Sequence, residues 1–236
     1  MNEEVKEASS ESSRSNSLKK ALFIRLIAAF LFLNLLFFLP AWTLNYWQAW
    51  VYMFIILVPM SIMARYLYKN DPALLERRLR MKERQKTQRR IIALSFLFFL
   101  PAFIIPGIDV RSGWSNVPWG VVIIADVIVL FGYLLFALVL KTNSYASRII
   151  EVEKGQGVIS TGPYAIVRHP MYLDVLILYG FSPLALGSYW AMIPMVLLIV
   201  LIVARIRGEE KELSENLDGY KEYLMKTKYR LVPGIW

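Results

Sequence analysis

The sequence predicts an all-α integral membrane protein with about six transmembrane helices, or five if the last helical hairpin only partly enters the bilayer. Of its 236 residues, 57% are hydrophobic, which is more apolar surface than the core of a soluble domain of this length can hide. Six segments approach the roughly 20 residues that a helix needs to cross the hydrocarbon core. The links between them alternate between nearly uncharged and strongly basic, as the positive-inside rule requires.

The first 20 residues differ from the rest of the chain. Residues 1–20 are rich in serine and glutamate and show no apolar periodicity, so we expect a disordered cytoplasmic tail. The apolar run that begins at Ala21 leads directly into a second run. This order favours an uncleaved span over a cleaved signal peptide.

The predicted spans cover residues 21–40, 46–66, 91–107, 117–140, 171–187 and 189–206. Trp42, Tyr46 and Trp47 border the first link, as expected of aromatic residues at a membrane interface. The last two spans are separated only by residues 187–189, so we expect a tight helical hairpin. Pro183 inside the fifth span allows a kink there.

The charges of the links predict the topology. Lysine and arginine dominate residues 66–90, the 141–170 link and the segment after 204, whereas the 41–47 and 187–189 links carry no charge. Both termini are therefore predicted to lie in the cytoplasm. Residues 72–90 fit two alternatives, an amphipathic helix on the membrane surface or a solvated basic loop that fixes topology.

Composition excludes several classes of site. The chain contains no cysteine and a single histidine, which removes disulfides, thiolate catalysis and multi-histidine metal centres, and no metal site is predicted. The net charge of +9 is carried by the links between apolar spans. This distribution points to anionic lipid headgroups as partners and not to nucleic acid.

Two polar clusters fall on the predicted cytoplasmic side. The first is Gly162–Tyr172, which joins a turn, an arginine, the single histidine and two tyrosines to the start of the fifth span. The second follows the sixth span, where Arg205 and Glu209 share a helical face. Because the two spans form a hairpin, the clusters are expected to meet in one mixed-charge pocket. Taken singly, each residue also fits a helix cap, a snorkelling cation or a solvated helix face.

The pattern Gly-Pro-Tyr-x-x-x-Arg-His-Pro-x-Tyr, followed by a hairpin and Arg-x-x-x-Glu-Glu-x-x-Leu, resembles the isoprenylcysteine carboxyl methyltransferase family, which is grouped with the phospholipid methyltransferases. The resemblance covers about residues 125–236, which it marks as the catalytic region. The N-terminal membrane helices, residues 21–124, match only in general hydropathy. The resemblance implies methyl transfer from S-adenosylmethionine to the carboxylate of an isoprenylcysteine or a similar lipophilic acid.

The resemblance also implies the site residues. An arginine is expected to face the substrate carboxylate, and the candidates for the catalytic side are Arg168, Arg205 and Arg207. The expected cofactor-binding residues are Glu151, Gln156, Gly157, Val158, Ile159, Tyr164, His169, Pro170, Met171, Tyr172, Glu209 and Glu210. Two positions depart from the family pattern: Asp174 stands where many members have glycine, and Glu151 where some have glutamine.

The chemistry needs little from these side chains. A carboxylate is already ionised at neutral pH, so no strong general base is required, and the protein has to orient the reactants and exclude water. Other functions remain open at this point: N- or S-methylation of a phospholipid or another small molecule, a membrane reductase, and a scaffold without enzymatic activity.

Overall fold

The computed structural model describes residues 2–79, 86–147, 152 and 155–236. Within these ranges the protein is helical and contains no strand, which confirms the predicted all-α class. The helices are α1 (Asn2–Ala41), α2 (Trp47–Asn70), α3 (Pro72–Leu79), α4 (Lys86–Ser112), α5 (Trp119–Thr142), α6 (Pro170–Ala185), α7 (Met192–Asn216) and α8 (Tyr220–Lys226), with a short 3₁₀ helix at Gly162–Ala165 before α6.

Four helices in the described part of the chain are long and apolar enough to cross a membrane: Asn16–Ala41, Trp47–Asn70, Gln88–Ser112 and Trp119–Thr142. They coincide with the first four predicted spans. The predicted fifth and sixth spans are helices, but they do not meet the same standard. The helix α6 has only 16 residues, and the apolar part of α7 ends at Ala204, before Arg205.

Two further segments bear on the sequence predictions. The helix α1 continues back to Asn2 through the residues for which the sequence predicts a disordered tail. No glycine or proline interrupts residues 2–39, so the helix of the first span extends without a breaker. In the 72–90 segment, α3 is a helix that buries Leu74 and Leu75 against other helices of the bundle, so its apolar side packs on protein, while residues 80–85 lie outside the described ranges.

Close helix packing builds the bundle. The helix α4 contacts α1 and α7, and α5 contacts α2 and α6. A Cβ atom at Gly107 of α4 would lie 2.7 Å from the backbone oxygen of Phe37, so only glycine allows α1 and α4 to approach this closely. Aromatic rings fill the core beside this contact, and the Phe37 and Tyr52 rings meet edge to face with centroids 5.8 Å apart.

The links group at two ends of the bundle. The two links without charge and the end of α4 are joined at one end, where Tyr46 donates to the carbonyl of Leu186 (2.6 Å) and Ser188 donates to Asp109 Oδ2 (2.5 Å). At the other end the basic links meet, and Arg77 Nη1 donates to the carbonyl of Ser144 (2.9 Å). The predicted hairpin of α6 and α7 reverses direction at Gly187, whose φ of +76° favours glycine.

Candidate active site

A cavity of about 630 Å³ lies at the basic end of the bundle, a volume in the range of small-molecule sites. Its polar wall is formed by residues 156–159, the 3₁₀ helix and the first turn of α6, together with the end of α7. Gly162 starts the 3₁₀ helix with a φ of +56°, and Pro170 starts α6, where its missing N–H is harmless. These two residues set the direction of the Arg168-His169 segment between them.

The structure brings most of the sequence-predicted site residues to this cavity. Those that line it are Gln156, Gly157, Val158, Ile159, Tyr164, Arg168, His169, Met171, Tyr172, Arg205 and Glu209. Pro170, Arg207 and Glu210 do not line it, and Glu151 lies outside the described residues. On α7 the division follows helical spacing, because Arg205 and Glu209 are one turn apart and share the cavity face.

A polar group of four side chains closes one side of the cavity. Tyr172 donates to Glu209 Oε2 (2.6 Å), and Arg205 Nη1 donates to Gln88 Oε1 (3.2 Å). Gln88 belongs to α4 and is almost fully buried. It reaches Arg205 past Gly208, where a Cβ atom would lie 2.1 Å from the amide nitrogen of Gln88. The glycine therefore leaves the space through which α4 supports Arg205.

Glu210 lies at the centre of an ion-pair network behind the cavity. Its Oε1 is 2.9 Å from Arg168 Nε and 3.3 Å from His169 Nε2, and its Oε2 accepts from Arg230 Nε (2.8 Å). Burial alone would raise the pKa of Glu210, but the hydrogen bonds of His169 and Arg230 and the nearby charge of Arg168 lower this pKa to about 2. Glu210 therefore stays ionised and holds the motif that carries His169.

The segment after α8 also holds this motif. The amide of Arg168 donates to the carbonyl of Tyr229 and the amide of His169 to the carbonyl of Arg230, both at 2.9 Å. Tyr223 donates to the carbonyl of Tyr164 (2.7 Å). Because of this burial among the site residues, the pKa of Tyr223 rises to about 12. Tyr223, Tyr229 and Arg230 lie within the region of resemblance, about residues 125–236, but the sequence did not predict this supporting position for them.

The sequence did not predict the apolar wall of the cavity. It comes from one face each of α1, α2 and α3, and its members are Leu22, Leu26, Ala29, Met60, Met63, Ala64, Leu67, Leu75 and Leu79. The spacing 22, 26, 29 and 60, 63, 64, 67 is that of a single helical face. In a membrane helix this signal is hidden, because the other faces are equally apolar.

The fold and the cavity together define a class: a multi-pass helical membrane protein with a ligand-sized site at one end of its bundle. The model of the Isoprenylcysteine carboxyl methyltransferase (ICMT) family matches residues 122–215, from α5 to the last turn of α7. This match confirms the resemblance drawn from the motifs. No curated protein matches the chain at a significant level.

Proposed function

We propose that the protein is an S-adenosylmethionine-dependent methyltransferase that esterifies the carboxylate of an isoprenylcysteine or a similar lipophilic acid. The observation that carries the proposal is a single cavity with two unlike walls. One wall is polar and contains the family motif, and the other is formed by apolar faces of membrane helices. A polar cofactor and a lipophilic acceptor need such a pair of walls.

The residues present fit the cofactor. The cavity volume of about 630 Å³ suits a molecule of this size. Residues 156–159 would hold it with their backbone groups, together with Tyr164 and His169, and the Glu209 carboxylate offers an acceptor for an ammonium or hydroxyl group. When bound, the cofactor supplies an electrophilic methyl group on a sulfonium centre.

Arg205 is proposed to position the acceptor. Its guanidinium can hold a carboxylate by two parallel N–H groups, and Gln88 fixes its direction from α4. A tight grip would reduce the nucleophilicity of the carboxylate, so we assign Arg205 positioning and not activation. The apolar wall excludes water, which would otherwise screen these interactions and solvate the nucleophile.

The cavity end is proposed to face the cytoplasm, with both termini on that side. The basic links lie at this end, as the positive-inside rule requires of the cytoplasmic side. A soluble cofactor would then enter from the cytoplasm, whereas a lipid-borne acceptor would enter from the bilayer along α1 and α2.

Calorimetric titration of the detergent-solubilised protein with S-adenosylhomocysteine tests the cofactor assignment. We expect saturable binding with one site per chain. Absence of binding by folded protein would contradict the proposed function.

A second candidate, N-methylation of a phospholipid amine, is favoured by one observation. The carboxylate of Glu209 lines the cavity and could take the proton that an amine must lose. Methyl acceptance by an S-prenylated N-acetylcysteine and by phosphatidylethanolamine is compared under the same conditions. Ester formation on the prenylated cysteine supports the carboxyl reaction. Methylation of phosphatidylethanolamine alone would mean that the protein is an amine methyltransferase instead.

A further inference from the structure

Asn143 ends α5 and lines the cavity, although it is not among the site residues that the resemblance implies. Its backbone N–H donates to the carbonyl of Val139 (3.0 Å), and its own carbonyl accepts from the amide of Ala146 (3.2 Å). Because α5 packs against α2 and α6, the helical bundle itself sets the position of this residue.

The side-chain amide of Asn143 has one possible orientation. Its Oδ1 accepts from the backbone N–H of Tyr145 (2.9 Å), and since a backbone N–H can only donate, the oxygen of the amide must face it. The Nδ2 then lies 3.0 Å from the hydroxyl oxygen of Tyr164. An amide NH₂ group can only donate, so Asn143 is the donor in this hydrogen bond and the Tyr164 hydroxyl is the acceptor.

Tyr164 is held at its backbone as well as at its hydroxyl. Its carbonyl accepts from the hydroxyls of Tyr223 (2.7 Å) and Thr227 (3.4 Å), and only 8% of the residue is exposed. Burial raises the pKa of the Tyr164 phenol well above its usual range, so the group keeps its proton at neutral pH. Because the phenol oxygen accepts from Asn143, this proton has to point elsewhere.

The proton of the Tyr164 hydroxyl has no acceptor in the described part of the chain, where the bond from Asn143 is the only one that this hydroxyl forms. Tyr164 and Asn143 both line the cavity, so the place where they meet lies in the cavity wall. A buried donor without a partner is unfavourable. A ligand in the cavity can supply the missing acceptor.

We propose that Asn143 is a positioning residue that makes Tyr164 a hydrogen-bond donor to the bound cofactor. This inference rests on the proposed function and adds to it a residue that acts through Tyr164. The partner of the hydroxyl is an oxygen or a ring nitrogen of the cofactor, because Tyr164 belongs to the same polar wall as residues 156–159 and His169, which would hold that molecule.

Calorimetric titration with S-adenosylhomocysteine tests the proposal on two substitutions. Tyr164→Phe removes the hydroxyl and should weaken binding about fivefold, the size of one neutral hydrogen bond. Asn143→Asp keeps the size of the side chain and the oxygen that accepts from Tyr145, but it replaces the Nδ2 donor with an acceptor. The Tyr164 hydroxyl should then donate to this carboxylate, and we expect the same loss of about fivefold.

The double variant separates positioning from a direct or a structural effect. With Tyr164→Phe already present, Asn143→Asp should cause no further loss, whereas a residue that acts through its own charge or through the fold would add its effect. Asn45→Asp is the matched control, because it adds the same charge at an exposed position at the other end of the bundle. Its affinity should remain that of the wild type.

A fluorinated tyrosine tests the direction of the hydrogen bond without a change at Asn143. A ring fluorine makes the phenol more acidic, which strengthens a hydrogen bond that the phenol donates and weakens one that it accepts. We therefore expect 3-fluorotyrosine at position 164 to lower the Kd for S-adenosylhomocysteine. In the Asn143→Asp background this gain should disappear. If Asn143→Asp does not fold, the fluorotyrosine measurement carries the test.

The outcomes distinguish this inference from the proposed function. Wild-type affinity in Tyr164→Phe or in Asn143→Asp, additive losses in the double variant, or weaker binding with fluorotyrosine would each overturn the role given to Asn143. These results all require a wild type that binds S-adenosylhomocysteine. A folded wild type that does not bind it would contradict the proposed function itself.

Discussion

Arg205 and Arg207 are two positions apart on α7 and have different surroundings. Arg205 lines the cavity and donates to Gln88, whereas Arg207 is exposed and does not line the cavity. The sequence could pair Arg205 with Glu209 by helical spacing. It left the choice between the two arginines open, because only the packing of α4 against α7 determines which face of α7 meets the cavity.

Arg205→Ala is expected to raise KM for the prenylated acceptor by about tenfold, because one charge-assisted contact is lost. The affinity for S-adenosylhomocysteine should change little. Arg207→Ala is the matched control and should leave both quantities close to wild type. Methyl ester formation at varied acceptor concentration measures the effect, and equal effects of the two variants would contradict the assignment.

Glu210 predicts a pH dependence of stability. Its folded-state pKa of about 2 lies below the ordinary value of 4.5, so the folded state favours the ionised form. The stabilisation is fully present above about pH 4.5 and is lost as the pH falls from there towards about 2. Thermal unfolding of wild type and Glu210→Gln, followed by tryptophan fluorescence, should differ most near neutral pH and converge in acid.

The control for this prediction is Glu222→Gln, which removes an exposed carboxylate on α8. Its unfolding temperature should follow that of the wild type over the whole pH range. A gap between wild type and Glu210→Gln that does not depend on pH would mean that shape, and not charge, explains the effect of Glu210.

The partners of Glu210 mark a limit of sequence reasoning at the residue scale. The resemblance implied that both Glu209 and Glu210 bind the cofactor. In the structure Glu209 lines the cavity, whereas Glu210 binds Arg168 and Arg230 behind it. Arg230 reaches Glu210 because the chain after α8 returns to the motif, and this path depends on tertiary contacts that no local pattern encodes.

At the scale of helices, apolar length predicted where helices exist but not what each one does. The first four spans follow directly from composition, since long apolar runs have few alternatives in a membrane. The end of α7 is different, because the helix continues past Ala204 into a charged segment to Asn216. Residues 205–210 are thus held on a rigid extension of the hairpin, which places Arg205 and Glu209 in the wall of the site.

The contact between α4 and α7 depends on Gly208. A methyl group there would displace the side-chain amide of Gln88, so Gly208→Ala should break the bond between Gln88 and Arg205. We expect a rise in acceptor KM similar to that of Arg205→Ala, without loss of the helix, because alanine favours helix formation. Circular dichroism and acceptor kinetics measure the two parts of the prediction.

Gly120→Ala is the control for this substitution. Gly120 also lies in a helix, but no heavy atom outside its own helix lies within 4 Å of a Cβ built there, so its acceptor KM should remain that of the wild type. The double variant Gly208→Ala with Gln88→Ala should be no worse than Gln88→Ala alone. A further loss in the double variant would show that Gly208 acts through another neighbour.

At the scale of the whole molecule, the alternation of charge predicted the two ends of the bundle. Tyr46 and Ser188 come from two links without charge and meet Asp109 of the last turn of α4 at one end, as a topology with these segments on one side requires. The cavity at the other end could be predicted only in part. Its polar wall contains the motif, whereas its apolar wall depends on how α1, α2 and α3 pack beside α5, and uniformly apolar helices do not encode that arrangement.

The side of the membrane that each end occupies is the last prediction, and the composition of the chain makes it directly testable. Because the protein contains no cysteine, a single introduced cysteine reports its own position without background. Ser112→Cys marks the end with little charge and Glu222→Cys marks the cavity end, and both positions are exposed. A membrane-impermeant maleimide should label Glu222→Cys only in inside-out vesicles and Ser112→Cys only in right-side-out vesicles.

Positive charge is retained on the cytoplasmic side during insertion, so the reverse result would place the cavity away from the cytoplasm and from a soluble cytoplasmic cofactor. Labelling of both positions from one side would mean that the bundle is not inserted across the membrane between them.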